Sequence, residues 1–280
     1  MEWIEGHRLP IGSYAAAFVD WLTENFTGVF DAIQVGLEAF IDAILFVLQA
    51  PHPFAVILAF GAVAYAMRRS IPILVFTLLG FLLIVNLGYW KETTETLALV
   101  IASTSVCMVI GIPVGIAAAR RPWLYAALRP VLDLMQTIPT FVYLIPALIL
   151  FGLGMVPGLV ATVIFALPSP IRLTRLGIAS TPLQLIEAGD AFGATPFQRL
   201  MKVEIPYAAP QIMAGLTQTI MLSLSMVVIA ALVGAPGLGV PVLRALNSIN
   251  IAQGFEAGLA IVLLAIILDR FFRVDEGGRR

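Results

Sequence analysis

The chain has 280 residues, 60% of them hydrophobic and only 12% charged, with a mean hydropathy of +0.98. Those proportions exclude a soluble domain and define an integral membrane protein. The net charge of -1 excludes little, because the placement of Lys and Arg matters more than their sum, and the single cysteine, Cys107, rules out an internal disulfide.

Met1-Glu2-Trp3-Ile4-Glu5 carries acids where a cleavable signal would carry Lys or Arg, so none is expected. Across residues 14–49, Phe18, Leu22, Phe26, Ile33, Leu37 and Phe40 recur at helical spacing while Asp31, Gln34, Glu38 and Asp42 share the opposite stripe. An acid at the centre of a membrane helix costs ~2.5–3.5 kcal/mol. Residues 1–50 therefore read as an amphipathic segment at the interface or against the bundle, with a soluble helix pair as the alternative. No Lys or Arg lies between Pro10 and Met67, which places this segment outside the cytoplasm.

Pro51-His52-Pro53 breaks the chain, and residues 51–96 hold two additional spans. The first, 54–67, is short; the second, 71–90, has normal length and ends in the interfacial pair Tyr89-Trp90, with 91–95 as an outer loop. A core domain is predicted over 97–273. Its first span, 97–119, contains Gly111-Ile-Pro-Val-Gly115, where small residues four apart allow close helix approach and Pro113 bends the axis. Spans at 131–151, 156–171, 208–232 and 257–267 with flanks complete a count of about seven, and 274–280 is a tail. Gly234 to Gly239 reads as a flexible outer turn, because it lacks the strand a nucleotide loop requires.

Basic residues orient this layout. Arg68, Arg69, Arg120, Arg121, Arg129, Arg172, Arg175, Arg199, Lys202, Arg270, Arg273, Arg279 and Arg280 fall on one side, and Arg8, Lys91 and Arg244 on the other. The expected orientation is N-terminus outside and C-terminus in the cytoplasm.

The longest polar interlude, 180–206, reads as a docking element. Thr181-Pro-Leu-Gln184 and Thr195-Pro-Phe-Gln198 each supply a hydroxyl cap, a proline and a glutamine at capping-box spacing. Gly193 between them suits a left-handed break, and Pro206 is expected to end the second helix. Glu187-Ala188-Gly189, then Gly193, then Val203-Glu204-Ile205-Pro206 resembles the E-A-A-x3-G-x9-I-x-L-P signature of ABC importer permeases. Gly189, Val203 and Ile205 depart from it by small or apolar swaps. The resemblance implies that Glu187, Ala188, Gly189, Asp190, Ala191, Gly193, Ala194 and Pro206 belong to a cytoplasmic coupling helix that seats in the cleft of an ATPase subunit.

Gln136-Thr-Ile-Pro-Thr-Phe-Val-Tyr-Leu-Ile-Pro146, the 234–239 loop, Ile266-Ile-Leu-Asp-Arg270 and the long N-terminal segment narrow the resemblance. Together they are similar to permeases for glycine betaine, proline betaine, choline and related quaternary amines. That subfamily implies an all-α, polytopic membrane bundle of type I importer form in the bacterial inner membrane. It also implies two permease copies, two cytoplasmic ATPases that use ATP-Mg, and an extracytoplasmic binding protein whose aromatic cage sets specificity by cation–π attraction. Gln136, Thr137, Pro139, Phe141 and Tyr143 are the expected pathway residues, neutral and aromatic groups suited to weak contact with a methylammonium cargo. Carnitine and trimethylamine N-oxide remain open beside the betaines.

No G-x-x-x-x-G-K-[ST] loop occurs, so ATP would be used by a partner and this chain is expected to be no enzyme and to bind no cofactor. His7 and His52 lack further ligands at helical spacing, and no catalytic, metal or nucleic-acid site is expected. Asp133 is the one candidate proton-relay carboxylate, against which stands an ordinary ion pair with Arg129. A proton- or ion-coupled secondary transporter and a membrane scaffold are the rival readings.

Overall fold

Long apolar runs punctuated by Pro and Gly make helices here and nothing else: every regular element of the computed structural model, which describes residues 10–272, is helical. His7, Arg8, Arg273, Arg279, Arg280 and the 274–280 tail lie outside the described residues. Four helices are long and apolar enough to cross a membrane among the described residues, and six segments qualify if each of two bent helix pairs counts as one span. A further apolar helix, α3 below, is shorter, so seven spans are reached only by including it.

Helix α1 (Ile11–Gln49) is a single 39-residue element with a kink at Phe26, where φ is -125° and ψ 19°. Only part of its apolar stripe lies on the bundle: Ile41 and Leu48 are buried and Phe30 meets Phe151 edge to face with centroids 5.7 Å apart, whereas Phe18, Phe26, Ile33 and Phe40 are exposed. The Pro51-His52-Pro53 break turns the chain by 98° into α2 (Pro53–Arg68). Helix α3 (Ile71–Asn86) is four residues shorter than its predicted span, because Gly88 at φ 80° turns the chain before Trp90. Trp90 instead opens α4 (Trp90–Arg120), so residues 91–95 are helix and not an outer loop. At 31 residues α4 is about 46 Å long, more than hydrocarbon requires, which leaves its first polar turns beyond it.

The remaining helices are α5 (Pro122–Thr137), α6 (Thr140–Phe151), α7 (Met155–Ala166), α8 (Pro168–Ala179), α9 (Leu183–Ala191), α10 (Pro196–Arg199), α11 (Ile205–Ala231), α12 (Gly239–Ser248) and α13 (Ile251–Phe272). The single span expected at 131–151 is two helices, α5 and α6, bent by 96°. Pro139 forces Ile138 into an extended conformation (ψ 132°), which an α-helix cannot continue through. The span expected to end at Ile171 runs on as α8 to Ala179, making one apolar stretch of 25 residues.

Helices α4, α8 and α11 form the tight centre of the bundle, because small residues let their backbones meet. A Cβ on Gly111 would stand 2.7 Å from Pro170, and one on Gly177 would stand 2.9 Å from Ala208. One pair of buried hydroxyls joins α4 to α11: Ser103 Oγ donates to Ser223 Oγ at 3.1 Å. The 234–239 loop is packed rather than flexible. Leu238 is fully buried and its N–H donates to Thr96 Oγ1 at 2.8 Å, which removes the water a mobile turn would need.

Candidate functional site: a capped loop and a broken span

The 180–206 loop stands clear of the bundle as α9, a turn and α10. Thr195 forms the expected capping box, its hydroxyl accepting from Gln198 N at 3.2 Å while Gln198 Oε1 accepts from Thr195 N at 2.9 Å. Thr181 does not. Helix α9 starts one residue later than expected, with Pro182 itself at the cap in an extended conformation, and Thr181 is buried, its hydroxyl without a partner among the described residues. A proline at the cap offers no hydroxyl, so this end is held by the chain's turn.

Gly193 has φ +75°, the left-handed conformation its position calls for, and a Cβ there would meet nothing within 4 Å. Gly193 N donates to Asp190 O and Ala194 N to Gly189 O, closing the C-terminus of α9. Glu187, Ala188, Asp190, Ala191 and Gly193 are exposed, Gly189 and Ala194 are half-buried, and Phe192 beside them is 93% exposed. Leu183 and Phe197 of the same loop are exposed as well.

Pro206 does not end the second helix. Residues 196–231 form one helical run in which α10 passes through a π turn, Leu200–Glu204, into α11. Proline lacks an N–H and its ring would collide with a carbonyl four residues back in an α-helix. The π turn bonds Ile205 N to Leu200 O, five residues apart, and relieves that collision while placing Pro206 in the first turn of α11.

The π turn also aims Glu204 inward, where it is 5% exposed. Arg199 Nε donates to its Oε1 at 3.1 Å, and Arg120 Nη2, from the end of α4, donates to its Oε2 at 3.3 Å. Arg199 Nη1 reaches Asp190 at 3.0 Å, and Arg120 Nη2 also donates to Pro196 O at 3.3 Å. Hydrogen bonds to Asp190 and then Glu204 raise the Arg199 guanidinium further above its ordinary range, so it stays charged. One carboxylate thereby joins α9, α10, the π turn and α4. Sequence reading passed over Glu204 because it occupies the variable position before Ile205, and its partners lie on other elements.

The second feature is the α5–α6 bend. Pro139 has no N–H for the carbonyl of Met135, and Tyr143 OH donates to that oxygen at 2.7 Å, with Leu134 O, which already accepts from Ile138 N, 3.1 Å away. Tyr143 is accordingly buried, whereas Phe141 is 56% exposed. Pro139 and Thr137 lie exposed at the corner, and Gln136 Oε1 accepts from Arg172 Nη1 at 2.9 Å. Asp133 sits 3.9 Å from Arg129, as the i,i+4 spacing suggests, but its shorter contact is to Arg172 Nη2 at 2.6 Å.

Membrane-length helices, a span broken near its middle and a capped helix-turn-helix standing outside the bundle define a transport permease of the ABC importer type. Residues 111–274 match the family described as "Binding-protein-dependent transport system inner membrane component", and the chain belongs to that family. It is 49% identical to the glycine betaine transport system permease protein OpuAB of Bacillus subtilis over 94% of this chain and 93% of that one. It is 46% identical to the glycine betaine/carnitine transport permease protein GbuB of Listeria monocytogenes, covering 94% of each. Among solved structures, an inward-facing MetNI methionine ABC transporter aligns with TM-score 0.57 and 27% identity, over 62% of this chain and 88% of that chain.

Proposed function

We propose that this chain is the permease of an importer for glycine betaine or a closely related methylated amine. It works as a homodimer with two cytoplasmic ATPases and an extracytoplasmic binding protein. The observation that carries the reading is the loop at 180–206, a rigid, exposed helix-turn-helix whose Glu187–Ala194 face presents itself for docking in an ATPase cleft. The cargo class follows from what the relatives OpuAB and GbuB are named for. This loop and the C-terminus lie in the cytoplasm, the N-terminus lies outside, and α1 rests at the outer interface with its acidic stripe toward water. Residues 97–273 act as the translocating core, with Gln136, Thr137, Pro139 and Phe141 near the path and Tyr143 holding the bend.

The rival proton-coupled reading rests on Asp133, which the structure places in an ion pair with Arg172 at 2.6 Å. The test is uptake of labelled glycine betaine into vesicles holding the permease, its ATPase and its binding protein. Uptake should require ATP and the binding protein. Uptake sustained by an ion gradient alone overturns the assignment.

A further inference from the structure

We propose that Arg172 and Arg175 of α8 are positioning residues that carry movement of the 180–206 loop to the α5–α6 bend; this rests on the coupling role of that loop.

Helix α8 runs directly into the loop at Ser180, and it cannot slide independently of α4 and α11. A Cβ on Gly115 of α4 would stand 2.7 Å from Thr174 Cβ and 2.8 Å from Ile171 O, and Gly177 of α8 is as close to Ala208 of α11. Loop, α8 and the tight centre therefore move as one body.

Helix α5 is attached differently. Leu132 is its one buried residue, Leu124, Leu128 and Met135 are half-buried, and Trp123, Val131 and Leu134 are exposed, so its apolar packing is partial. It touches α4, to which it is joined at Arg121, and two arginines from α8 tie it further. Arg172 spans one turn of α5, donating to Asp133 Oδ1 at 2.6 Å and Gln136 Oε1 at 2.9 Å. Arg175 lies over the Tyr125 ring, its guanidinium carbon 3.6 Å from the centroid, a cation–π contact. Its Nε is buried without a hydrogen-bond partner among the described residues, consistent with a side chain placed for the ring.

Tyr125 and Asp133 are eight residues apart, about 12 Å along a helix. Two fixed points at that separation set the direction of α5 as well as its distance. The C-terminal point lies within two turns of Pro139, where the span breaks. A tilt of α8 driven from the loop thus becomes a tilt of α5 and a change at the bend.

The experiment uses the complete assembly of permease, ATPase and binding protein in vesicles, measuring ATPase association, ATP hydrolysis and glycine betaine uptake together. Arg172→Ala combined with Tyr125→Leu should keep the ATPase bound and hydrolysing while uptake per ATP falls by about tenfold, within the range that coupling between sites spans. Arg172→Lys and Tyr125→Phe, which keep the charge and the ring face, should each retain most of that ratio. A wild-type ratio in the double variant overturns the proposal, as does a parallel loss of hydrolysis and uptake. Gly193→Val in the same assembly separates the two readings. If it leaves association, hydrolysis and uptake unchanged, the loop is not the coupling element; if it impairs them while the double variant is normal, only the arginine linkage falls.

Discussion

Arg120 at the end of α4 and Glu204 at the end of the π turn are 84 residues apart in sequence and 3.3 Å apart in space. That contact fastens the 180–206 loop to the centre of the bundle. Glu204 is nearly inaccessible, with side-chain exposure of 7%, while Arg120 and Arg199 keep 37% and 28%. The arginines retain some hydration, so removing the carboxylate costs less than the several kcal/mol of a fully buried pair. Glu204→Ala should lower the stability of the detergent-purified permease by about 1–2 kcal/mol. Glu204→Gln, which keeps an acceptor for each arginine, should lose less. A melting temperature unchanged in Glu204→Ala removes the carboxylate from this role.

The glycine contacts of α8 predict a sharper effect. Gly115→Leu and Gly177→Val would drive side chains into Thr174 and Ala208, positions with no flexible group to yield. Overpacking of this kind costs about 1–3 kcal/mol. Both variants should insert poorly or melt earlier, whereas Gly28→Ala on α1, where a Cβ meets nothing within 4 Å, should behave as wild type.

Gly193 differs from those glycines, because the space around it is open and only its φ of +75° resists substitution. A β-branched residue there costs ~1–2 kcal/mol in backbone strain. That cost is local to an exposed turn, so Gly193→Val should leave the permease inserted while weakening ATPase association. Glu187→Lys, an exposed charge reversal on the same face, should act similarly without strain. Pull-down of the ATPase by each variant provides the check, and wild-type capture by both would exclude this face as the docking surface.

How far the sequence announces these features depends on how local their causes are. The Thr195 capping box and the left-handed Gly193 are each settled within four residues, and both are legible. So is the closeness of Gly111 and Gly115 to another helix, although not which helix. The Thr181 cap fails because Pro182 takes the cap position, a competition that spacing alone does not resolve. Pro206 misleads for a different reason: a proline is a stop signal in an α ladder, and the π turn that accommodates it has no clear sequence mark. The break at Pro139 hides inside an apolar run whose composition suits a straight span. Least legible are the partners of Glu204 and Asp133, since a long-range ion pair leaves no period in the chain.

Orientation can be read by labelling. In a Cys107→Ser background, which removes only a buried thiol, a cysteine at exposed Thr195 should react from the cytoplasmic side and one at exposed Asn247 from the outside. Reaction of both from the outside would overturn the placement of the 180–206 loop and its access to an ATPase.

The bend gives the last prediction, because Phe141 and Tyr143 are adjacent in kind and opposite in placement. Tyr143 is 9% exposed and its hydroxyl serves two carbonyls of α5, so its loss acts on structure. Tyr143→Phe should cost ~0.5–1.5 kcal/mol, the net value of a hydrogen bond, and free the end of α5 to fray. Tyr143→Ala adds a cavity and should destabilise by about 3–5 kcal/mol, comparable to other large aromatic truncations. Phe141 carries no such duty: at 56% exposure its ring is available to a passing cation or to a second copy of the chain. Phe141→Ala should therefore keep the wild-type melting temperature and ATPase association while lowering glycine betaine uptake. Measuring melting and uptake on the same preparations separates the two roles. If Phe141→Ala transports normally, the exposed ring is no part of the path; if Tyr143→Phe melts as wild type, the hydroxyl does not hold the bend.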